Sequence, residues 1–395
     1  MLEGKRVIVG VTGSIAAYKA ADLVSKLTQA GAEVDVILTE AGAQFITPMA
    51  LRSLSGRPVY TDIFDLKAEL AISHVELARR ADAVVIAPVS ATTLARLAHG
   101  FADNLLSLTV LATQAPVLLA PAMDSQMYEN AATQANLALL NERGMTVVGP
   151  VEGRLASGRV GRGRMVEADV ILGALRQMLG RNGDLAGRKL VVSAGGTQEP
   201  IDPVRYVGNY SSGKMGYAIA EAARDRGARV ALVSAPVALT APYGVELVAV
   251  KTAEEMRDAV VAQCAGADVL IMAAAVADYR PAAAAAQKIK RAKAGRTLEL
   301  APTPDILAAV KGKLVRVGFA AESEELLKNA AAKLAGKGLE LIVANDITAP
   351  DSGFGTDTNQ VTIIDKSGEA EPLPLLSKYE VAQRILDRVV PLLKS

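Results

Sequence analysis

Short apolar runs alternate with helix-length amphipathic segments from one end of the chain to the other. In the first half, the runs typical of buried strands are Arg6–Val11, Val34–Thr39, Ala83–Ala87, Val117–Ala120 and Met145–Val148. Helical patterns lie between them, as at Ala16–Gln29 and at Tyr128–Arg143, where Gly144 follows as a helix C-cap would. Continuous apolar strands separated by helices predict a parallel sheet covered by helices on both faces.

The same alternation begins again in the second half. Its predicted strands are Lys189–Ser193, Arg229–Val233, Glu246–Val250, Val269–Ala274, Leu314–Phe319 and Leu339–Ala344. Its predicted helices are Met215–Arg226, Ala253–Cys264 and Ser323–Ala335. A glycine-rich polar segment, 180–187, lies between the two sets. We therefore expect two α/β domains with doubly wound, mostly parallel sheets, residues 1–179 and 188–395, joined by a linker at 180–187.

The composition fits a folded chain without nucleic-acid or membrane character. Hydrophobic residues make up 51% of the 395 residues, and 43 lysines and arginines balance 42 acidic residues to a formal charge of +1. This balance gives no support for a nucleic-acid partner, which would need a basic face. The longest apolar run, Val269–Ala277, is far shorter than a bilayer span. We expect neither a nucleic-acid nor a membrane partner.

The cysteine count and the first residues indicate a reducing compartment. The one cysteine, Cys264, cannot form an intramolecular disulfide and lies late in a helical stretch, where we expect it to act as a small apolar side chain. Charges at Glu3, Lys5 and Arg6 lie just before and at the start of the first strand, unlike the pattern of a secretory signal. A cytoplasmic location is therefore expected.

Small and polar residues follow three strands of the first predicted sheet. Gly10–Ser14 follows the first strand, Ser90 and Thr93 follow the third, and the fourth runs into Met123 and Asp124. In doubly wound sheets, ligands bind beyond the carboxyl ends of the strands. The first turn alone fits either a phosphate or flavin site or a tight strand–helix turn. Three such strand ends on one sheet edge favour a cofactor site.

The two histidines differ in their surroundings. His74 precedes a predicted helix, where it could act as a base near neutral pH or be a surface or capping residue. His99 is followed by Gly100 at a helix end, which favours a structural role. No histidine, cysteine or carboxylate cluster has the spacing of metal ligands.

Together, these segments resemble the flavin-dependent cysteine decarboxylases over nearly all of residues 5–175. The resemblance implies a flavodoxin-like fold with bound FMN, which oxidises the cysteine side chain of a substrate so that carbon dioxide leaves. His74 matches the active-site histidine of that family. The positions that the resemblance assigns to FMN are Gly13, Ser14, Thr39, Ser90, Thr93 and Met123.

Two positions depart from the pattern of that family. Asp124 stands where the family has an asparagine that binds the substrate carboxylate, and Ser157 stands where it has a proton-donating cysteine. A serine hydroxyl is a poorer acid than a thiol. An ionised Asp124 would repel a substrate carboxylate unless it were protonated or aimed elsewhere. We expect a decarboxylase with His74, Asp124 and Ser157 at the catalytic positions; the alternative is a flavin-binding half that has lost its chemistry.

The first connection of the second half is rich in glycine. Gly208 through Lys214 match the pattern Gly-x-x-x-x-Gly-Lys of a phosphate-binding P-loop. Met215 stands where that loop has a magnesium-binding serine or threonine, and Gly208 lies well beyond the strand end, which argues against a P-loop. Small residues and N–H donors at a helix start still favour an anion site, with a structural glycine loop as the alternative.

Polar and basic residues follow later strands. Asp278 lies at the end of an apolar strand, and a basic loop begins at Lys288. Lys333 and Lys337 lie four residues apart on one face of a predicted helix. Alone, the basic loop would be a solvated face. Taken together, these lysines can supply the several cations that a triphosphate requires.

The second half resembles phosphopantothenate–cysteine ligase over roughly residues 185–394, and the whole chain resembles the bifunctional family that joins this ligase to the decarboxylase. The resemblance rests on Gly195–Arg205 and Asn209–Gly216, and implies a Rossmann-like fold. It implies that the pantothenate carboxylate attacks CTP to give an acyl-cytidylate, which cysteine then attacks, with Mg²⁺ accompanying the triphosphate. Asn209 is assigned to the acyl-cytidylate and Lys288 to the phosphates. The other nucleotide positions are Ala273, Asp278, Asp305, Phe319, Lys333 and Lys337.

Three hypotheses remain open. The favoured one is a bifunctional enzyme acting on phosphopantothenate, cysteine and CTP, and forming homo-oligomers through a trimer-forming first half and a dimer-forming second half, as the resemblance implies. The second is a ligase whose first half is an oligomerisation scaffold, which Asp124 and Ser157 keep open. The third is a non-enzymatic flavoprotein that binds a protein partner. Asn209 and Lys288 speak against it, because a binding module does not need them.

Overall fold

A computed structural model of the chain describes residues 2–63, 74–291, 297–322, 326–346, 353 and 355–394, with the backbone alone at 321–322, 326–329 and 346. The chain forms two compact units, Met1–Leu179 and Gly180–Ser395. No helix in the described ranges is both long enough and apolar enough to span a membrane.

The first unit is built on a six-stranded parallel sheet. Its strands are β1 (Arg6–Val11), β2 (Glu33–Leu38), β3 (Val59–Tyr60), β4 (Ala83–Val89), β5 (Val117–Pro121) and β6 (Thr146–Val147). A separate antiparallel hairpin is formed by β7 (Val151–Arg154) and β8 (Val160–Arg164). The helices are α1 (Lys19–Gln29), α2 (Pro48–Ser55), α3 (His74–Arg80), α4 (Ala91–His99), α5 (Leu105–Ala112), α6 (Ser125–Glu129), α7 (Ala131–Glu142) and α8 (Ala168–Gly180).

The strand order of this sheet is β3-β2-β1-β4-β5-β6. When the two-residue edge strand β3 is set aside, the order is that of flavodoxin-like folds, with the topological switch point between β1 and β4. β4 is buried along its whole length, as expected for a strand covered on both faces. The predicted doubly wound parallel sheet is therefore confirmed for the first unit.

The second unit is built on an eight-stranded sheet. Its strands are, in spatial order, β13 (Glu246–Ala249), β12 (Arg229–Ser234), β9 (Lys189–Ala194), β14 (Val269–Met272), β17 (Val315–Glu322), β18 (Leu341–Asp346), β20 (Val361–Asp365) and β21 (Ala370–Pro372). Short strand pairs are formed by β10 (Glu199–Pro200) with β11 (Tyr206–Val207), β15 (Tyr279–Pro281) with β16 (Leu300–Pro302), and β19 (Thr358–Asn359) with β22 (Leu376–Ser377). The helices are α9 (Lys214–Asp225), α10 (Ala253–Gln263), α11 (Ile306–Ala309), α12 (Leu326–Gly336) and α13 (Lys378–Leu392).

The first six of these eight strands are parallel and follow the Rossmann order, with the switch point between β9 and β14. Only the last two, β20 and β21, run antiparallel to their neighbours. The predicted Rossmann-like, mostly parallel sheet is confirmed. The antiparallel extension brings the C-terminal helix α13 back to pack against α9, beside the core residues Val381 and Ile385.

Every predicted strand is present, with ends that differ by at most three residues. The helix predicted at Tyr128–Arg143 is present as α7 but begins three residues later, because Asn130 takes an extended ψ of 133° and its side chain caps α7 by accepting from the Ala132 N–H. The helix predicted at Ala16–Gln29 begins as a short 3-10 helix, Ile15–Tyr18. The first residues of the helix predicted at Ser323–Ala335 lie outside the described residues.

The glycine-rich segment that follows α8 is folded onto the second unit. Leu185 is completely buried in the core of that unit, and its N–H donates to the carbonyl oxygen of Arg226. The Arg226 guanidinium donates 2.8 Å to an Asp184 carboxylate oxygen. An apolar residue and an ion pair thus fix this segment to one unit.

Candidate active sites

The switch point of the first sheet carries the polar strand ends that the sequence predicts. The Thr12 hydroxyl donates 2.8 Å to the carbonyl oxygen of Pro88 and accepts, at 2.9 Å, from the N–H of Ser90. Thr12 therefore joins the ends of β1 and β4. The Ser90 hydroxyl caps α4 by accepting from the N–H of Thr93, and it lies 3.2 Å from the Thr93 hydroxyl. Ser90 and Thr93 are thus brought together beside the β1 turn.

The other residues predicted to hold FMN lie at the same sheet edge. The Ser14 hydroxyl donates to the carbonyl oxygen of Ala122 at 3.4 Å, which links the β1 turn to the end of β5. The Thr39 hydroxyl, just after β2, donates to the Val11 carbonyl oxygen and accepts from the Gly42 N–H. A Cβ atom on Gly13 would lie 2.7 Å from the Cβ atom of Ala41, so the close approach of these two turns requires glycine.

Asp124 and Ser157 are hydrogen-bonded to each other. The Ser157 hydroxyl donates 2.7 Å to one carboxylate oxygen of Asp124, and the N–H of Gln126 donates to the other as Asp124 caps α6. These two hydrogen bonds hold the pKa of Asp124 below its usual range, and the bond from Ser157 has the larger effect. The carboxylate is therefore ionised at neutral pH and is engaged by the serine.

The β7–β8 hairpin, which carries Ser157 at its tip, packs directly onto the segment after β5. The N–H of Met123 donates to the carbonyl oxygen of Gly163, and a Cβ on Gly163 would lie 2.2 Å from the Met123 carbonyl oxygen. The Arg162 guanidinium lies 5.4 Å from the centre of the Tyr128 ring. Glycine at 163 thus lets the hairpin lie against Met123, which brings the sixth predicted FMN residue beside the Asp124–Ser157 pair.

His74 begins α3 and is half-buried. In the described part of the chain, no hydrogen bond or ion pair joins His74 to Asp124 or Ser157, which are bonded to each other. The segment that leads into His74, residues 64–73, lies outside the described residues.

Asn209 lies at the switch point of the second sheet. Its side-chain N–H donates 2.7 Å to the carbonyl oxygen of Ala275, just after β14, and its side-chain oxygen accepts from the N–H of Ser211. Gly196, just after β9, forms an isolated bridge with Ala275. A Cβ on Gly196 would lie 2.1 Å from the Asn209 side-chain oxygen. Glycine at 196 thus makes room for the amide of Asn209.

A cavity of about 500 Å³ opens beside this switch point. The ends of β14 and β17, the start of α9 and the loop before α11 form its walls. Six residues predicted to contact the nucleotide line it: Ala273, Asp278, Asp305, Phe319, Lys333 and Lys337. Residues of the strand ends and of two helices therefore meet as the sequence predicts. Asn209 is bonded to the lining residue Ala275 but does not itself line the cavity.

Lysines dominate the charge of this cavity. The ammonium group of Lys333 donates 2.9 Å to the carbonyl oxygen of Phe319. Lys337 forms an ion pair with Asp305. Burial opposes the ionisation of Asp305, but Lys337 and the N–H groups of Ala308 and Leu307 together hold its pKa below the usual range. Lys214 begins α9 and donates 2.7 Å to the carboxylate of Asp357.

Lys288 is exposed and does not line the cavity. Its neighbour Ile289 is held by Asp202, whose carboxylate accepts from the Ile289 N–H at 3.0 Å, and by Arg205, which donates 2.8 Å to the Ile289 carbonyl oxygen. The Arg205 guanidinium beside Asp202 holds the pKa of that carboxyl far below its usual range. The Lys288 loop is thus attached to the 201–205 turn, while Lys293 lies outside the described residues.

Asn359 and Lys378 are among the polar cavity residues that the predicted site did not include. Lys378 lies at the first position of α13 after a capping serine, Ser377, which is a common arrangement of an exposed helix start. The antiparallel strands that carry α13 back to the cavity give no sequence signal of a ligand site. Lys214, the lysine of the P-loop-like pattern at 208–214, also lines the cavity.

Cys264 caps α10 within the core. Burial raises the pKa of its thiol to about 11, which agrees with an inert apolar side chain. No group of three or more histidine, cysteine, aspartate or glutamate side chains that could hold a metal ion occurs among the residues that the structure describes.

Two families match the chain, one to each unit. The family described as "Flavoprotein" matches residues 1–180, and that described as "DNA/pantothenate metabolism flavoprotein C-terminal domain" matches residues 185–392. Among solved structures, the C-terminal domain of the coenzyme A biosynthesis bifunctional protein CoaBC is 42% identical, with a TM-score of 0.47, and covers 54% of this chain and 98% of that chain.

Full-length relatives carry the same name. The coenzyme A biosynthesis bifunctional protein CoaBC of Vibrio vulnificus (strain YJ016) is 45% identical over 99% of both chains. That of Bacillus subtilis (strain 168) is 44% identical over 100% of this chain and 98% of its own, and that of Escherichia coli (strain K12) is 44% identical over 98% and 97%.

Two doubly wound units, with polar strand ends at both switch points and a lysine-lined cavity in the second, define a two-unit flavoprotein enzyme. The chain belongs to the family of coenzyme A biosynthesis bifunctional proteins CoaBC. It is a bifunctional enzyme with a decarboxylase-type flavoprotein half and a ligase half, which confirms the enzyme class expected from the sequence and excludes the non-enzymatic binding protein.

Proposed function

We propose that the second half joins cysteine to phosphopantothenate with CTP, and that the first half decarboxylates the product with FMN. The observation that supports the ligase most strongly is the cavity at the β9/β14 switch point. The six residues predicted to contact the nucleotide line it, together with two further lysines, Lys214 and Lys378. Converging ammonium groups next to a switch point are the arrangement that a nucleoside triphosphate requires.

The proposed ligation has two steps. A carboxylate oxygen of phosphopantothenate attacks the α phosphorus of CTP, pyrophosphate leaves, and an acyl-cytidylate forms. The amine of cysteine then attacks the acyl carbon, CMP leaves, and the amine loses a proton. The Asn209 amide, fixed by Ala275 and Ser211, is proposed to bind the acyl-cytidylate. Lys288 is proposed to meet the phosphates from its loop, and the cavity lysines to offset their charge.

Mg²⁺ is proposed to reach the site with CTP. Asp278 and Asp305 line the cavity, but Asp305 is paired with Lys337. No metal-ligand cluster occurs among the described residues. These residues fit a magnesium ion held mainly by triphosphate oxygens, with the protein supplying few ligands.

The first half is proposed to bind FMN at the β1/β4 switch point. The hydroxyls of Ser14, Thr39, Ser90 and Thr93 and the close backbone approach at Gly13 fit a polar phosphate-bearing cofactor. Bound FMN would supply reversible oxidation of the substrate's cysteine-derived side chain, which allows carbon dioxide to leave. His74 is proposed to act as a base, and the Asp124–Ser157 pair to contact the substrate from the hairpin.

One observation favours a second candidate, a ligase whose flavin-binding half has no decarboxylase activity. The Ser157 proton is engaged by an ionised Asp124, so that neither a free acid nor a neutral amide is present at this place. A serine hydroxyl has little tendency to give up its proton. In this case the first half would act only in assembly.

The proposed assembly is a homo-oligomer in the cytoplasm. Large apolar side chains lie exposed near the cofactor edge of the first unit, including Ile15, Tyr18 and Met49. Exposed apolar side chains of this kind are typical of subunit interfaces.

Mass spectrometry of the products tests the proposal. The flavin-loaded enzyme is incubated with phosphopantothenate, cysteine, CTP and Mg²⁺. Phosphopantetheine together with carbon dioxide is the expected result. Accumulation of phosphopantothenoylcysteine alone would support the second candidate, and the absence of both products would contradict the proposed function of both halves.

A further inference from the structure

The four lysines of the cavity in the second unit are not equivalent. Lys337 and Lys214 are paired with the carboxylates of Asp305 and Asp357. Lys333 is largely exposed and donates to a single carbonyl oxygen. Lys378 is only 5% exposed, yet among the described residues its ammonium group donates only to backbone carbonyl oxygens.

The contacts of Lys378 place its ammonium group beside Gly353 and Thr356, where the cavity is also lined by the start of α9. It donates 2.9 Å to the carbonyl oxygen of Gly353 and also to that of Thr356. Lys214 donates 2.8 Å to the carbonyl oxygen of Gly355 from the other side. Gly353, Lys214 and Lys378 all line the cavity. Two ammonium groups thus converge on one short segment at the cavity wall.

Among the described residues, the buried ammonium group of Lys378 donates hydrogen bonds to neutral oxygens alone, so these bonds compensate its charge poorly. Burial disfavours its charged form, and the neighbouring charge of Lys214 acts in the same direction, while the charge of Asp357 opposes them. Together these influences lower the pKa of Lys378 to about 8. An anion that entered the cavity would supply the missing opposite charge and would restore the protonated form.

We propose that Lys378 is a phosphate-binding residue of the nucleotide cavity, whose ammonium group is compensated by the polyphosphate chain of the bound nucleotide. This inference rests on the proposed function, because it takes the ligand to be a nucleoside triphosphate. Lys378 holds the carbonyl oxygens of Gly353 and Thr356 in the free enzyme and carries a full positive charge toward the phosphates in the bound one. Lys214 and Asp357 remain paired with each other in both.

The first test compares ligands that differ only in the number of phosphates. CTP and CMP are bound, with excess Mg²⁺ and without phosphopantothenate, to the full-length wild-type enzyme and to Lys378→Met. We expect the variant to bind CTP about tenfold or more weakly, as for a lost charge-assisted hydrogen bond, and CMP with less than about a threefold change. Lys394→Met removes the same charge from an exposed position outside the cavity and serves as the matched control.

The second test uses the wild-type enzyme, so it does not depend on the folding of a variant. CTP binding is measured by calorimetry at pH 8 in two buffers of different ionisation enthalpy. Lys378 is about half protonated at this pH when its pKa is about 8. Binding of the triphosphate should therefore take up about half a proton, and the uptake should decline toward pH 6.

The outcomes separate this inference from the proposed function. Weaker CTP binding with little change for CMP, together with proton uptake by the wild type, would support it. Equal weakening of CTP and CMP, or the absence of proton uptake, would show that Lys378 only holds the segment in place and would overturn it. If the wild-type enzyme bound CMP and CTP equally poorly, the proposed nucleotide function itself would fail.

Discussion

The Ser157 hydroxyl donates a 2.7 Å hydrogen bond to the carboxylate of Asp124, which joins the tip of the β7–β8 hairpin to the N-cap of α6. The same bond is the main reason that the pKa of Asp124 lies below its usual range. The resemblance to the flavin-dependent cysteine decarboxylases implies asparagine and cysteine at these two places. This chain instead has a carboxylate, ionised at neutral pH, where the resemblance implies that a substrate carboxylate is bound.

Replacing Asp124 by asparagine should therefore improve substrate binding in the first half. The variant Asp124→Asn keeps a side chain that caps α6 and accepts from Ser157. It removes a negative charge that repels the substrate carboxylate, and this repulsion is worth ~1 kcal/mol or more at a separation of about 4 Å. We expect the KM for phosphopantothenoylcysteine to fall about tenfold, with kcat changed much less. Steady-state decarboxylation measures this, and the ligase rate of the same preparation is the internal control. An unchanged or higher KM would show that the carboxylate does not face the substrate.

Gly196→Ala tests the placement of Asn209. The added Cβ would lie 2.1 Å from the Asn209 side-chain oxygen, so the amide must leave its bonds to Ala275 and Ser211. A misplaced catalytic group commonly lowers the rate by about a hundredfold. We expect a loss of that order in phosphopantothenoylcysteine formation, measured with saturating CTP. Gly336→Ala is the control, because a Cβ there meets nothing within 4 Å. A Gly196→Ala enzyme as active as this control would contradict the role of Asn209.

The Asp202–Arg205 pair should make the stability of the second unit depend on acidic pH. The folded-state pKa of Asp202 lies far below the unfolded value, so its stabilisation is fully present above about pH 4 and is lost as the pH falls further. Asp202→Asn removes this contribution. At pH 7 the variant should melt several degrees below the wild type, and the difference should shrink below pH 4. Thermal melts across this range measure it, and a difference independent of pH would exclude the ionised pair as its cause.

A partly buried hydrogen bond joins α9 and α13, the two helices that pack against each other in the second unit. The Tyr379 hydroxyl donates 2.7 Å to Asp225, whose carboxylate is completely buried beside the guanidinium of Arg224. Tyr379→Phe leaves one oxygen of this carboxylate without its donor, which costs about 1–3 kcal/mol. Urea unfolding should show a lower midpoint, and the free energy of unfolding derived from it should fall by that amount. Tyr279→Phe, at an exposed tyrosine, is the matched control, and an equal effect of both variants would refute the assignment.

The sheets could be predicted because their strands are continuous apolar runs. β1 coincides with the predicted Arg6–Val11, and β4 only extends the predicted Ala83–Ala87 by two residues. Polar residues at these strand ends indicate the edge at which we propose that the cofactor binds, because parallel strands place their carboxyl ends together. Glycines at 13 and 196 were visible in the sequence, but the neighbours that require them, Ala41 and Asn209, come from other segments.

The remaining features depend on contacts that no local pattern contains. The β7–β8 hairpin, Val151–Arg164, lacks an alternating apolar pattern, and its place is fixed by the close packing of Gly163 on Met123. Lys378 reaches the cavity only because antiparallel strands return the chain to the start of α9. An isolated lysine after a capping serine indicates a helix start, and its burial could not be foreseen.

The most direct test of the account is the fate of the phosphopantothenate carboxylate oxygen. Phosphopantothenate labelled with ¹⁸O in its carboxylate is turned over with cysteine and CTP, and the nucleotide and phosphate products are analysed by mass spectrometry. If the cavity of the second unit activates the acid as an acyl-cytidylate, one labelled oxygen must appear in CMP and none in pyrophosphate. Label in inorganic phosphate, or unlabelled CMP formed together with phosphopantothenoylcysteine, would contradict the proposed ligase mechanism.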